Sequence, residues 1–281
     1  MPELPEVEII SRCLDRSLSG ARLQDVTVRH SGCLRCSDRE LRSTVRGKEV
    51  QNARRRAKLV LLELEDGARL AFHLKMTGSL LVARHRDAEL DKHTHLVFSL
   101  PDDRVLLFRD VRKFGYCRVS PSEAELLAWP FYASLGPEPL NLGAEDFAAL
   151  FDGRRGRIKP LLLDQTLIAG IGNIYADEAL HLAGIHPNTP ADAIGQEGYV
   201  RLHTGLMRVL HNAIQAGGST FSDFVDASGT SGSFQNEFLV YRRAGQACIS
   251  CGSTLQRALV GGRGSVFCPL CQPQLRPKSK P

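Results

Sequence analysis

A double cysteine pair near the end of the chain, Cys248-x2-Cys251 and Cys268-x2-Cys271, restricts the fold more than any other feature. Four thiolates at this spacing suit one tetrahedral zinc ion, because a two-residue spacer lets a tight turn present both sulfurs of a pair to the same metal. Two redox dithiols are the alternative, and a double pair of this kind favours zinc over them. The intervening TLQRALVGGRGSVF reads as a β-hairpin with Gly261 to Gly264 at its tip. Arg263 then projects from a metal-stiffened turn, a good position for meeting a phosphate. Cys13, Cys33, Cys36 and Cys117 lack such a pattern and read as reduced thiols in preference to a second metal or redox site.

At 281 residues the chain has room for one large domain or two ordinary ones. No apolar run approaches the roughly 20 residues of a membrane span, and no signal-peptide pattern opens the sequence, so a cytoplasmic location is expected. Lysine and arginine number 36 against 31 aspartates and glutamates, an excess too small to name an anionic partner by itself. Its distribution is more telling. Arg54, Arg55, Arg56 and Lys58 form one cluster, and Arg154, Arg155, Arg157 and Lys159 another. Either could be a solvated face, but two such clusters with glycine or alanine spacers point towards phosphate contact.

The N-terminal half reads as a leading helix and then strands. Leu4, Val7, Ile10, Leu14 and Leu18 recur at helical spacing, with Pro5 in the first turn. LVLLELEDGARLAFHL has a hairpin pattern around Asp66-Gly67, and SLLVA, HLVFSL, RVLLFRD and FGYCRV follow as further strands. Strands of this length separated by turn residues predict a β-sandwich or barrel. After LGPEPLNLG the character becomes helical: AEDFAALF, IKPLLLDQ, NIYADEALHLAG and a long helix over about 196–216. DASGTSGSF has no residues with which to pack and reads as a mobile segment, and PQLRPKSKP as a disordered basic tail. The class is α+β.

MPELPEVE poses a separate question. Glu6 and Glu8 favour the positive end of a helix, but Pro2 and Glu3 precede that helix. Removal of Met1 would make Pro2 a secondary amine next to a carboxyl group, the makings of a nucleophile with a proton carrier.

PELPEVE, RRAKLVLLEL, HLKMTGSL, DVRKFG, LGPEPL, IKPLLLDQ, LIAGIGNIYADEAL, GGST and GRGS-FCPLCQ occur in this order over almost the whole chain. The set resembles the bacterial formamidopyrimidine-DNA glycosylases of the Fpg/Nei family, in the formamidopyrimidine branch. The resemblance implies an N-terminal β-sandwich with a leading helix (1–134), a linker (135–150), a helix-two-turn-helix domain with a lesion loop (151–235), a zinc finger (236–272) and a tail (273–281). It implies a bifunctional glycosylase and abasic-site lyase. Pro2 would be the Schiff-base nucleophile and Glu3 the general acid/base, with Lys58 and Arg263 assisting at phosphates and in elimination. Met76, Arg112 and Phe114 would form the wedge that fills the gap left by an extruded base. His73, His93, Arg112, Arg154, Lys159 and Asn173 would contact DNA. From pattern alone Met76 and Phe114 would read as core, and Asn173 as a helix N-cap. One structural zinc, duplex DNA carrying oxidised bases or abasic sites, no membrane and a monomeric bacterial enzyme at the nucleoid complete the expectation.

Ile9, Arg242 and the Ser228-Gly229 pair depart from the family pattern, the last two beside the lesion loop and zinc module. Two other readings remain: an endonuclease VIII-like glycosylase of oxidised pyrimidines, and a DNA-binding clamp without catalysis.

Overall fold

The computed structural model describes residues 2–85, 90–220 and 226–274. The chain forms two compact units, one of residues 1–133 and 214–235, the other of 134–213 and 236–281.

The first unit opens with α1 (Leu4–Leu18), whose expected apolar stripe is fully buried. Two short strands follow, β1 (Arg22–Leu23) and β2 (Asp25–Val28), and then helix α2 (Asp38–Val45), capped by the Ser37 hydroxyl, which accepts from Glu40 N–H. Strand β3 (Lys48–Arg56) pairs with β4 (Leu59–Leu64), and β4 pairs with β5 (Arg69–His73) across the Asp66-Gly67 turn. After these come β6 (Gly78–Arg84), β7 (Thr94–Ser99), β8 (Arg104–Asp110) and β9 (Tyr116–Ser120), then the short helices α3 (Glu123–Ala128) and α4 (Pro130–Ala133).

The strands make a five-stranded sheet in the order β1-β3-β4-β5-β9 and a four-stranded sheet in the order β2-β7-β8-β6. One core joins them, with Val60, Leu62 and Phe72 from the first sheet against Leu80, Phe98 and Phe108 from the second. The Phe72 ring lies 6.0 Å from Phe98 and 5.7 Å from Phe108. This is the expected sandwich.

The second unit holds α5 (Ala144–Ala149), α6 (Ile158–Leu163), α7 (Asn173–Ala183) and α8 (Gln196–Gln215), with the hairpin β10 (Gln256–Val260) and β11 (Arg263–Phe267). The last two residues of α8 belong with the first unit. Between α6 and α7 the chain turns without regular structure. Gln165 braces that stretch, donating to the carbonyls of Leu163 and Ile171 and accepting from Gly170 N–H. No helix among the described residues is long and apolar enough to cross a membrane.

The expected linker over 135–150 includes α5, the helix that AEDFAALF predicts. Two features differ from the sequence expectation. Residues 214–235, expected with the helical domain, pack with the sandwich, because Val82 N–H donates to Ala227 O at 2.8 Å and Ala227 is buried in the sandwich core. The Gly/Ser-rich stretch is also less plain than its composition. The Asp226 carboxylate accepts from Ser228 N–H, Ser228 Oγ–H and Thr230 N–H, so short polar side chains close a turn where packing residues are scarce. Residues 221–225, Met1 and 275–281 of the expected tail lie outside the described residues.

The Phe72 ring, from the first sheet, packs on two rings of the second. Phe72→Ala should therefore lower the stability of the first unit by about 3–5 kcal/mol, measured as the midpoint shift in urea denaturation.

Candidate functional site

In the first unit, Pro2 is buried at the front of α1, and Glu3 and Glu6 are each 1% exposed. Glu6 does more than favour a helix dipole. Its Oε2 accepts from Glu3 N–H at 2.9 Å, and its Oε1 accepts from Ser219 N–H and Ser219 Oγ–H, both at 2.9 Å. One carboxylate thus locks the backbone beside Pro2 to a segment 213 residues later. That segment needs its glycines: Gly217 and Gly218 have φ of +75° and +80°, and a Cβ on Gly232 would collide with the carbonyl oxygens of Gly217 and Gly218.

Lys58 sits half-buried in the β3–β4 turn, after Ala57 with φ +53°. Its neighbours in the arginine cluster are occupied elsewhere. Arg55 Nε meets Glu8 Oε2 at 2.7 Å, and Arg54 Nη2 meets Glu63 Oε2 at 3.1 Å. The clustering of charge therefore overstated the cations that Arg54 and Arg55 offer to a ligand.

His73, on β5, accepts Lys75 N–H at Nδ1 over 3.1 Å, which leaves its proton on Nε2. Burial, with the Lys75 and Lys58 charges, pushes its pKa down to about 3. His73 is thus a neutral donor. Beside it, Arg35 and Lys75 both lie over the Tyr116 ring, at 4.8 and 5.7 Å. Burial and the Arg35 charge lower the Lys75 pKa. Only the fold brings these cations together, and nothing in their spacing announced it.

Met76 and Phe114 are 41% and 51% exposed, so neither is core. Arg112 joins them: its Nη1 is 2.9 Å from Met76 Sδ, and its guanidinium carbon lies 4.8 Å over the Phe114 ring. His93 is half-buried, and its carbonyl accepts Asp110 N–H.

In the second unit, Asn173 is the first residue of α7 and Gly172 its N-cap, so Asn173 does not cap the helix. Asn173 Nδ2 donates to Gly264 O at 3.1 Å. Lys159 differs most from expectation. It is fully buried, 2.6 Å from Asp177 Oδ1, and donates to Ser265 Oγ at 2.5 Å and to Gly264 O at 3.3 Å. Lys159 therefore holds β11 rather than facing a ligand. Burial raises the Asp177 pKa to about 6 against the pull of Lys159, and the carboxylate also accepts Val266 N–H. Arg154 and Arg263 are exposed, Arg263 beside the two-residue Gly261-Gly262 turn, where both residues have positive φ. Arg242 has φ +60°, a conformation that glycine takes freely. It lines a cavity of about 520 Å³ with Asn173, Tyr241, Arg257 and Gly264.

The four cysteines of the double pair converge, with all ligand atoms within 4.8 Å of one another. Sulfur separations are 3.9 Å for Cys248–Cys271 and 3.4 Å for Cys251–Cys268. Tetrahedral zinc with Zn–S bonds of about 2.3 Å places its sulfurs about 3.8 Å apart, so the donor set fits one structural ion. Buried Gln272 joins this module to α7: it accepts from Cys268 N–H and His181 Nδ1–H and donates to Ile185 O.

Two outcomes follow from this geometry. Cys268→Ser should reduce bound zinc from one ion per chain to near zero by metal analysis, with loss of amide protection in β10 and β11, since metal binding is folding energy here. The His73 ring signals should not titrate between about pH 8 and 5. Below about pH 6.5 the unfolded chain takes up a proton that the folded histidine refuses. Stability is therefore full above that pH and falls towards about 3. His73→Gln should flatten this decline in pH-dependent urea denaturation.

Three family descriptions cover most of the chain: the formamidopyrimidine-DNA glycosylase N-terminal domain over residues 1–117, the formamidopyrimidine-DNA glycosylase H2TH domain over 135–225, and a zinc finger found in FPG and IleRS over 245–274. A formamidopyrimidine-DNA glycosylase of Desulfitobacterium hafniense is 42% identical over 97% of this chain and 100% of its own. That of Roseiflexus sp. is 44% identical with the same coverage. A solved complex of a Lactococcus lactis FPG mutant with Fapy-dG DNA superposes with a TM-score of 0.90 at 36% identity, covering 97% of this chain and 100% of that one. A Lactococcus lactis Fpg complex with abasic-site DNA superposes at 0.89, with the same identity and coverage. With its sandwich, helical and zinc modules all matched, this chain belongs to the formamidopyrimidine-DNA glycosylase family.

Proposed function

We propose that this protein is a DNA glycosylase and abasic-site lyase of base excision repair, acting on oxidised purines in duplex DNA. The observation that carries this reading is the buried Pro2 whose neighbouring backbone is pinned by Glu6. A nucleophile must be held at one position to attack one carbon, and this network supplies that hold.

The chemistry then runs through this chain's own groups. Released from Met1, the Pro2 nitrogen is a secondary amine of the α-amino class, with an ordinary pKa of about 8 and hence partly neutral at physiological pH. It bonds to C1′ of the lesion nucleotide as the C1′–base bond breaks and the base leaves. Glu3 carries protons to and from the opening sugar. The resulting iminium withdraws electrons, so loss of the 2′ proton expels the 3′ phosphate, and a second elimination expels the 5′ phosphate. Lys58 and neutral His73 offer donors to the backbone of the lesion strand. In the other unit Asn173, Arg154 and Arg263 are assigned to phosphates. Met76, Arg112 and Phe114 fill the stack from which the base has left. Lys159 drops out as a direct contact, because it is fully buried against Asp177, Ser265 and Gly264. Action on chromosomal DNA assigns the enzyme to the bacterial nucleoid.

A wider substrate range has support of its own, since a Lactococcus lactis Fpg has been solved with DNA containing an oxidised pyrimidine. Borohydride trapping tests the reading. A duplex with one 8-oxoguanine opposite cytosine should give a covalent adduct that peptide mass spectrometry places on Pro2. The same protein with a retained N-terminal extension should give none and leave the strand uncut. Adduct formation only with thymine glycol would reassign the enzyme to pyrimidines, and binding without any adduct would make it a clamp.

A further inference from the structure

The three proposed wedge residues come from two loops far apart in sequence, and one buried side chain joins them. Asp110 ends β8, in register with Gly78 at the start of β6, so the segments carrying Met76 and Arg112 leave adjacent strands at the same end of the sheet. Asp110 is 1% exposed. Its Oδ1 accepts from Thr77 Oγ–H at 2.5 Å and from Arg112 N–H at 3.1 Å, and its Oδ2 accepts from Gly115 N–H at 2.6 Å. Arg112 N–H also reaches Thr77 Oγ1 at 3.1 Å. The Asp110 backbone is held as well: its N–H donates to His93 O, and its carbonyl accepts from His95 Nε2–H.

These bonds hold conformations that an isolated loop would leave. Lys75 and Lys113, one in each loop, have φ of +52° and +58°, a left-handed conformation that L-residues disfavour. Gly78 and Gly115 make the loops' closest approaches. A Cβ at Gly78 would collide with Leu74 O, and one at Gly115 would lie 3.0 Å from Asp110 Oδ2. With the loops held in this way, Arg112 touches both Met76 and Phe114.

The geometry points to Asp110, with Thr77, as the positioning pair that assembles the wedge and so sets how well the protein opens a stacked duplex. This inference rests on the glycosylase reading above. It concerns only the step in which a base leaves the stack, because neither side chain is placed at the reacting sugar. Asp110→Asn replaces an acceptor oxygen by an NH2 group that must face at least one of the same donors, so a loop comes free. Displacement by about 1 Å at a positioned group can cost on the order of a hundredfold in rate.

The test compares two substrates. For Asp110→Asn, single-turnover excision of 8-oxoguanine from a duplex should fall by roughly ten- to a hundredfold, of the order that displacement allows. Cleavage at an abasic site in a single strand, where no stack has to open, should stay within about twofold of the unaltered enzyme. Thr77→Val should show the same selective loss, and Thr77→Ser, which restores the hydroxyl, should recover excision. Fluorescence of 2-aminopurine placed beside the lesion should show less unstacking in both impaired variants. Equal loss on both substrates, or unchanged duplex excision, overturns the assignment. If the unaltered protein itself cleaves neither substrate, the glycosylase reading fails instead.

Discussion

A carboxylate assigned no bond-making role holds this protein's proposed chemistry in place. Glu6 is buried, and burying a charge is costly unless hydrogen bonds replace lost water. Three donors from two distant parts of the chain do so, one from Glu3 and two from Ser219. The chain end would otherwise fray, as ends commonly do. Here the first turn of α1 and the segment after α8 share one acceptor, so the α8 segment returns to the sandwich unit.

The same device recurs elsewhere in the chain. Asp110 gathers the wedge loops. Glu178 accepts the N–H groups of Leu239, Val240 and Tyr241, fixing the strap that leads to the zinc module. Asp177 takes Lys159 and Val266 N–H and ties β11 to α7. Irregular backbone has few partners of its own, and an ionised oxygen is a stronger acceptor than a carbonyl. A buried acid can therefore order a loop that packing alone would leave loose, and such polar sets confer order only when their members are satisfied.

What the sequence revealed follows from range. Period and turn chemistry are local, so α1, the β4–β5 hairpin and the run of strands could be read directly. The cysteine spacing stated its own geometry. Lys159 could not be read, because a lysine in GRRGRIKP looks solvated until Asp177 and Ser265 are known to surround it. Arg55 likewise looks like one of a basic run until Glu8 is placed against it. Glu6 shows a helix preference in sequence, and its tie to Ser219 spans most of the chain. Asp110 lies inside DVRKFG, a motif visible at once, but the motif is silent about Thr77. At Asp226–Thr230 composition announces a turn but not its bonds, in which the Asp226 carboxylate accepts from Ser228 and Thr230.

The stretch between Thr220 and Gly232 has its ends fastened to each other. Gly232 N–H donates to Thr220 Oγ1, Phe234 N–H to Gly218 O, and Gln235 bonds to both Thr220 and Gly232. A loop whose ends are already joined has met most of its closure entropy, and doubling its length adds only about 0.6 kcal/mol. Within the stretch, Ala227 is a further anchor, buried in the sandwich core, so a change of length is best tolerated where that anchor and the joined ends are kept. The closure of this loop and the hold on the proposed nucleophile thus rest on separate bonds, the first between Thr220, Gly232 and Gln235, the second between Glu6, Glu3 and Ser219.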